Sequence, residues 1–229
     1  MSDSYKLPEI GVIMFKHQAR KIKPTRRSVS GVISYKKKPL AYESTLERDF
    51  IIYHAFREDV KNITPQPVKI PFNKNGRTYR YTPDYYVELD AESGKSFIAE
   101  VKPKQEWQLN WRDWSDKWKA AKRYCKEKGI RFIIFDEDRI RHEALDNINF
   151  LRTYETIRVT NEEVKVILAD IKQRGITNVD YILERYFKSK LYRPDGQALV
   201  WHLMANKKIG FDIWDDVKDP QMEVWHVEH

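Results

Sequence analysis

The stretch Tyr81–Lys104, YTPDYYVELDAESGKSFIAEVKPK, decides how the rest of the chain is read. Tyr81–Leu89 is rich in β-formers and carries Asp84 directly after Pro83. Asp90–Lys95 (DAESGK) is a polar turn containing glycine, and Ser96–Lys102 predicts a second strand that ends Ala99-Glu100-Val101-Lys102. Side chains alternate along a strand, so Glu100 and Lys102 share one face while Val101 takes the other. A hairpin closed about the middle of this turn sets Asp84 roughly opposite Val101 and brings its carboxylate near Glu100 and Lys102. Two carboxylates and an ammonium gathered at a strand end suit a hard cation and a phosphate.

Downstream, Gln105–Lys128 predicts a helix on which Trp107, Trp111, Trp114 and Trp118 recur at helical spacing, with Arg112, Lys117, Lys119, Lys122 and Arg123 interleaved. The tryptophan stripe either packs on a sheet or lines a nucleic-acid groove with the basic residues. Gly129 stops the helix, and the apolar run Ile130–Phe135 predicts a buried strand. Strand, helix and strand at this spacing imply a parallel crossover, so the central sheet is mixed and the class is α/β. Upstream, Ser44–Val60 predicts a helix with an apolar face built on Leu46, Phe50, Ile51, Tyr53, His54 and Phe56. Ser44 and Glu47 have the spacing of a capping box. Glu47 therefore has two readings, as a cap or as a further acid at the hairpin. Asn62–Pro71 predicts a proline-punctuated edge strand, followed by a turn at Asn73–Gly76 and the returning strand Arg77–Leu89. Gln66 either sits near the acidic residues or is a surface residue.

The bulk composition points the same way. The chain has 229 residues, 41% hydrophobic and 13% aromatic, enough to bury a core. Its net charge of +8 and pI of about 9.3 favour a polyanionic partner. Residues 1–40 read as a basic arm: between Lys16 and Lys38 there are nine Lys or Arg and no acid. Lys21, Lys23, Arg26, Arg27, Lys36, Lys37 and Lys38, with Lys104 beyond the hairpin, are candidate DNA phosphate contacts, the alternative being a solvated tail. One cysteine, Cys125, excludes an intramolecular disulfide and fits a reducing cytoplasm. No zinc ligand set, signal peptide or membrane-spanning run is legible, so a cytoplasmic protein with no membrane partner is expected.

A linking helix is predicted over Glu143–Arg152, and a second unit begins near Val159. Three helices, from Thr160 to Gly175, over Asn178–Phe187 and over Asp195–Ala205, precede two short strands at Lys207–Asp212 and Met222–Val227. Three helices and a wing make a winged-helix-like α(+β) unit that can contact DNA or protein. The apolar third helix inclines it toward protein. The domain reading is a 1–40 arm, a 41–152 α/β core that carries the acidic hairpin, and a 153–229 winged-helix-like domain.

Glu47, Pro83-Asp84 and Glu100-Val101-Lys102 match the PD-(D/E)xK nuclease signature. In that chemistry Asp84 and Glu100 would hold Mg2+, with Mn2+ able to substitute. The Val101 carbonyl would be a third ligand and Glu47 a further candidate. Lys102 would orient or deprotonate the attacking water or stabilise charge on the phosphate. The runs Tyr42–Phe50, Gln66-Pro67, Arg80–Tyr85 and Ala99–Pro103, with Arg26–Gly31 ahead of them, resemble the TnsA endonucleases of heteromeric cut-and-paste transposons. The resemblance implies a restriction-endonuclease-like mixed sheet flanked by helices, with Glu47, Asp84, Glu100 and Lys102 as the catalytic set. It implies cleavage at the 5′ ends of a transposon, on the non-transferred strand of double-stranded DNA. It also implies a separate DDE transposase, an AAA+ regulator, and a target selector that is sequence-specific or CRISPR-type. The competing readings are a stand-alone restriction, repair or junction-resolving nuclease of the same fold, and a non-catalytic DNA-binding adaptor.

Overall fold

The hairpin that opens the sequence reading forms the centre of a four-stranded sheet in the computed structural model, which describes Phe15, Gln18, Ala19 and residues 29–228. The chain divides into two units, Met1–Ile140 and Arg141–His229. In the first, a short hairpin pairs β1 (Gly31–Tyr35) with β2 (Lys38–Tyr42) and leads into α1 (Thr45–Phe56). Next come β3 (Val60–Pro65), a separate ribbon of β4 (Ile70–Lys74) and β5 (Arg77–Tyr81), and the central strands β6 (Tyr85–Leu89) and β7 (Phe97–Val101). The long helix α2 (Lys104–Glu127) crosses over to β8 (Arg131–Phe135), and the one-turn α3 (Glu137–Ile140) ends the unit.

The sheet order is β3-β6-β7-β8, antiparallel between β3, β6 and β7 and parallel between β7 and β8, as the crossover required. All five residues of β6 and of β7 are buried, which fits strands covered on both faces. Phe50 and Ile51 of α1 are fully buried, and the Phe50 ring stacks on Tyr85 at 5.3 Å. Each such side chain contributes about 1.5–3 kcal/mol on burial. Trp118, Ala120 and Ala121 of α2 pack on Ile70 of β4 and Tyr81 of β5, with Trp107 and Trp114 against the same cluster. The packing reading of the stripe holds for these three tryptophans, whereas Trp111 is exposed with the Arg112 guanidinium 5.4 Å from its ring.

Several boundaries differ from the sequence reading for local reasons. Asn62–Pro71 is two strands, because Gln66 adopts φ +45° and the chain leaves β geometry there. Arg77–Leu89 is also broken, at Thr82–Asp84, where Pro83 cannot donate to a ladder. The first helix ends at Phe56; Arg57 is extended and pairs with Asp59, and Val60 already belongs to β3. The last residues of the supposed arm are the β1–β2 hairpin, anchored by buried Tyr35 and Leu40. Lys21, Lys23, Arg26 and Arg27 lie outside the described residues.

The second unit contains α4 (Glu143–Arg152), α5 (Asn161–Arg174), β9 (Ile176–Asn178), α6 (Val179–Tyr186), α7 (Arg193–Ala205), β10 (Ile209–Gly210) and β11 (Glu223–His226). The wing strands β10 and β11 pair as expected, and β9, which the sequence reading did not assign, completes a three-stranded antiparallel sheet. Leu199, Val200, Leu203 and Met204 of α7 are buried, which accounts for the apolar character of the third helix. The dividing point lies at Ile140/Arg141 rather than after Arg152, because α4 packs on α7 and its Asn147 bonds the Ile213 and Asp215 carbonyls. Among the described residues, no helix is long and apolar enough to cross a membrane.

Candidate active site

Asp84 sits where the chain leaves the β5 ribbon and enters β6. Its N–H donates to the Ala99 carbonyl (3.1 Å), and its own carbonyl accepts from the Gln66 N–H (2.7 Å). The register Tyr85↔Ala99, carried one residue further, sets Asp84 opposite Glu100 rather than Val101. The carboxylate still reaches Val101, whose N–H donates to Oδ2 at 2.7 Å. This bond fixes the aspartate against the end of β7, just where that strand stops pairing with β6.

Lys102 Nζ lies 3.3 Å from Asp84 Oδ2 and donates to the Val101 carbonyl at 3.0 Å. Burial alone would pull this ammonium down, but Asp84, Glu100 and Glu47 outweigh it and hold its pKa above the usual lysine value. Lys102 is therefore a protonated group in this arrangement, suited to stabilising negative charge rather than to accepting a proton.

Glu100 is buried, and both its oxygens are engaged. Oε2 accepts from the Tyr81 hydroxyl at 2.5 Å, and Oε1 lies 3.2 Å from Lys117 Nζ. Burial and the neighbouring Asp84 raise its pKa, while Lys102, Lys117 and Tyr81 oppose the shift. Lys117 is itself held over the rings of Tyr81, Trp114 and Trp118, at 5.0, 4.5 and 5.7 Å from their centroids.

Glu47 fulfils both of its readings. Ser44 Oγ accepts from the Glu47 N–H (3.1 Å), as a helix cap does, while Glu47 Oε2 accepts from the Glu43 N–H (2.9 Å) and faces the Tyr85 hydroxyl (3.1 Å). Burial and Asp84 together push its pKa up to about 7. Glu47, Asp84, Glu100 and Lys102 thus form one electrostatic cluster, brought together from α1, the Pro83-Asp84 break and the end of β7.

The donor set can be tested for a divalent cation. Asp84, Glu100 and the Val101 carbonyl present hard oxygens of the kind Mg2+ and Mn2+ prefer. The Lys102 ammonium already rests on two of these three donors, so the position attracts positive charge. Among the described residues, no group of three or more His, Cys, Asp or Glu side chains stands together as a complete ligand set. An ion there would be held by Asp84, Glu100 and the Val101 carbonyl, with solvent or phosphate oxygens completing its shell; Glu47 does not line the cavity over them.

A cavity of about 580 Å3 opens over this cluster, lined by Asp84, Glu100, Lys102 and Lys117, with Glu43, Gln66, Lys69 and Arg80 around it. Gln66 is buried here and is not a surface residue. Sequence reasoning passed over Tyr81 and Lys117 as site residues. The available signal was position: Lys117 adjoins Trp118 on the face that packs toward the sheet, and Tyr81 alternates into the same layer. Of the proposed DNA contacts, Lys36 donates to the Val60 and Lys61 carbonyls, and Lys104 pairs with Asp138. Lys37 and Lys38 are exposed on the β1–β2 turn.

The mixed sheet, the crossover helix and the acid–acid–lysine cluster define a nuclease of the restriction-endonuclease-like class. Two family models match the chain, one described as TnsA-like endonuclease N terminal over residues 57–137 and one as TnsA endonuclease C terminal over residues 139–213. Together they span more than half of the sequence, and the chain belongs to the TnsA endonuclease family, whose activity class is DNA endonuclease. The first match contains Asp84, Glu100 and Lys102 but begins after Glu47, and the junction between the matches falls close to the structural division at Ile140/Arg141. The chain is also 28% identical over 126 residues to the head completion nuclease of Enterobacteria phage T4, an alignment covering 45% of this chain and 83% of that protein.

Proposed function

We propose that this chain is a metal-dependent endonuclease of cut-and-paste transposition. It cleaves the 5′ ends of the element, on the non-transferred strand, beside a DDE transposase that processes the 3′ ends. The observation that carries the reading is the cluster in which Asp84 Oδ2 meets both the Val101 N–H and Lys102 Nζ, next to buried Glu100, in a chain of the TnsA endonuclease family. Asp84, Glu100 and the Val101 carbonyl would hold Mg2+ or Mn2+. Such an ion, when bound, polarises the scissile phosphate and acidifies the attacking water. Lys102 contributes a fixed positive charge for the developing phosphate charge. Glu47, which shares the electrostatic cluster with Asp84 and Lys102, would complete the metal site or hold a second ion.

The partners that go with this reading are double-stranded transposon ends, the transposase, an AAA+ regulator and a sequence-specific or CRISPR-type target selector. The test is a strand-resolved nicking assay on transposon-end DNA, with and without the transposase. The wild type should nick the 5′ strand only when metal is present, and Asp84→Ala should lose nicking while still associating with the transposase. Full cleavage by Asp84→Ala would overturn the site assignment. The similarity to a phage head completion nuclease supports a second reading, a nuclease that cuts without a transposase. Efficient metal-dependent cutting of duplex DNA by the chain alone would favour it.

A further inference from the structure

The β4–β5 ribbon stands apart from the central sheet, and its sequence Lys69–Tyr81 carries four basic residues, Lys69, Lys74, Arg77 and Arg80, and no acid. Lys74 is tied to α2, donating to the Asp113 carbonyl at 2.9 Å. The other three are exposed, and among the described residues none of them makes an ion pair with a carboxylate. Lys69 and Arg80 line the catalytic cavity itself.

A second cavity, of about 520 Å3, lies between this ribbon and α2. Phe72, Asn73 and Thr78 face it from the ribbon, and Asp116, Lys119 and Arg123 face it from the helix. Phe72 lines both cavities, so they adjoin at one ring, which Tyr79 stacks against at 5.6 Å. Lys119 and Arg123 are also exposed and make no ion pair among the described residues; Asp116 is the single carboxylate of the groove. Basic side chains without an ion pair thus line both cavities, Lys69 and Arg80 beside Lys102 in the first and Lys119 and Arg123 in the second, with Arg77 exposed on the same ribbon. A folded protein that leaves adjoining cationic groups without counter-charges presents them to an anion, and a row leading from a nuclease site suits a polyphosphate backbone.

We propose that the β4–β5 ribbon and the adjoining face of α2 form the track that grips the backbone of duplex DNA on one side of the cut, with Lys69, Arg77, Arg80, Lys119 and Arg123 contacting phosphates. A duplex is favoured over a single strand because the track offers cations and only one exposed ring, Tyr79, where single-strand grooves rely on stacking platforms. The proposal rests on the endonuclease reading and names how that site receives its substrate. These contacts carry no base readout, so the track would hold DNA of any sequence and leave end selection to other parts of the machinery.

The test is fluorescence anisotropy of the full chain on a random-sequence duplex in EDTA, across a salt titration, so that no cleavage occurs. The variant Lys69→Ala/Arg77→Ala/Arg80→Ala should weaken binding and flatten the plot of log K against log salt by about 0.9 for each phosphate contact removed. A charge-matched control, Lys95→Ala/Lys126→Ala/Lys128→Ala, removes three exposed bases elsewhere on the same unit and should leave the slope within error of the wild type. Equal slopes for the ribbon variant and the wild type, or equal losses in ribbon variant and control, would overturn the track. A ribbon variant that binds and nicks normally while Asp84→Ala is dead would reject the track and spare the nuclease reading. A flattened slope combined with normal nicking by Asp84→Ala would do the reverse.

Discussion

Lys117 Nζ lies 3.2 Å from Glu100 Oε1, so each of the two carboxylates at the hairpin end has an ammonium of its own: Lys102 on Asp84 and Lys117 on Glu100. The second pair is the more enclosed, with side-chain exposures of 19% for Lys117 and 2% for Glu100. Breaking such a pair from one side leaves a buried charge without its partner, at a cost of up to about 3 kcal/mol. Lys117→Met should therefore lower stability, and it should also act on catalysis through Glu100. Burial and Asp84 already raise the Glu100 pKa, and Lys117 opposes them, so removing it raises that pKa further. The acid limb of the nicking pH profile should move to higher pH, with activity below the limb falling about tenfold per unit of displacement. Lys117→Arg should restore the limb. A profile that keeps its limb in Lys117→Met would show that Lys117 only packs.

Glu47 predicts a pH-dependent stability of the metal-free chain. Its ordinary pKa of 4.5 is raised to about 7 in the folded state, first by burial and then by Asp84. The folded protein holds this proton more tightly than the unfolded chain does. Stability therefore falls as pH rises from about 4.5 to about 7, by up to about 3 kcal/mol, and stays lower above that window. Glu47→Gln keeps an oxygen for the Glu43 amide and removes the titration. Urea unfolding in EDTA should find the variant little changed at about pH 4.5 and more stable than the wild type at about pH 8. A stability difference independent of pH would count against the shift.

The parts of this fold legible in the sequence are those governed by periodicity over short range. The β6–β7 hairpin, the long amphipathic helix and the apolar strand Ile130–Phe135 each announce themselves within a few residues, and the crossover then makes the sheet mixed. The break at Thr82–Asp84 was less legible, because a β-rich stretch gives no direct sign that its two halves join different sheets. The register differs by one residue for a related reason: a symmetric turn opposes Asp84 to Val101, whereas Tyr85 pairs with Ala99 and so sets Asp84 opposite Glu100. The clustering of Asp84, Glu100 and Lys102 is legible because they are close in sequence or share a hairpin. That of Tyr81 and Lys117 is not, because their contacts with Glu100 depend on how α2 settles against the ribbon. The strand Ile176–Asn178 is too short to carry any period.

Cys125 should be chemically silent in the native protein. It is buried on α2, packed in a cluster with Tyr86 and Ile98, and burial pushes its thiol up to about 12. The thiolate is the reactive form, so a disulfide-exchange reagent at about pH 8 should label the native chain at a rate set by local opening. Labelling should become rapid and stoichiometric in denaturant. Prompt stoichiometric reaction of the native protein would mean that α2 opens far more readily than its packing implies.

Gly196 sets helix propensity against packing in the second unit. It lies in the first turns of α7 and is buried, so on propensity alone Gly196→Ala would stabilise the helix by about 1 kcal/mol. A Cβ there would stand 2.5 Å from the Phe187 ring and 2.9 Å from Leu183. Both distances are shorter than carbon atoms tolerate, and Leu183 is fully buried and has little room to retreat. Overpacking of this kind costs about 1–3 kcal/mol, enough to cancel or exceed the propensity gain. Gly196→Ala should therefore lower the unfolding temperature or, at best, leave it unchanged. Adding Phe187→Leu removes the ring and should recover stability beyond the sum of the two single changes, as expected for residues in contact. Stabilisation by Gly196→Ala alone, with no coupling to position 187, would place the ring elsewhere than against the helix.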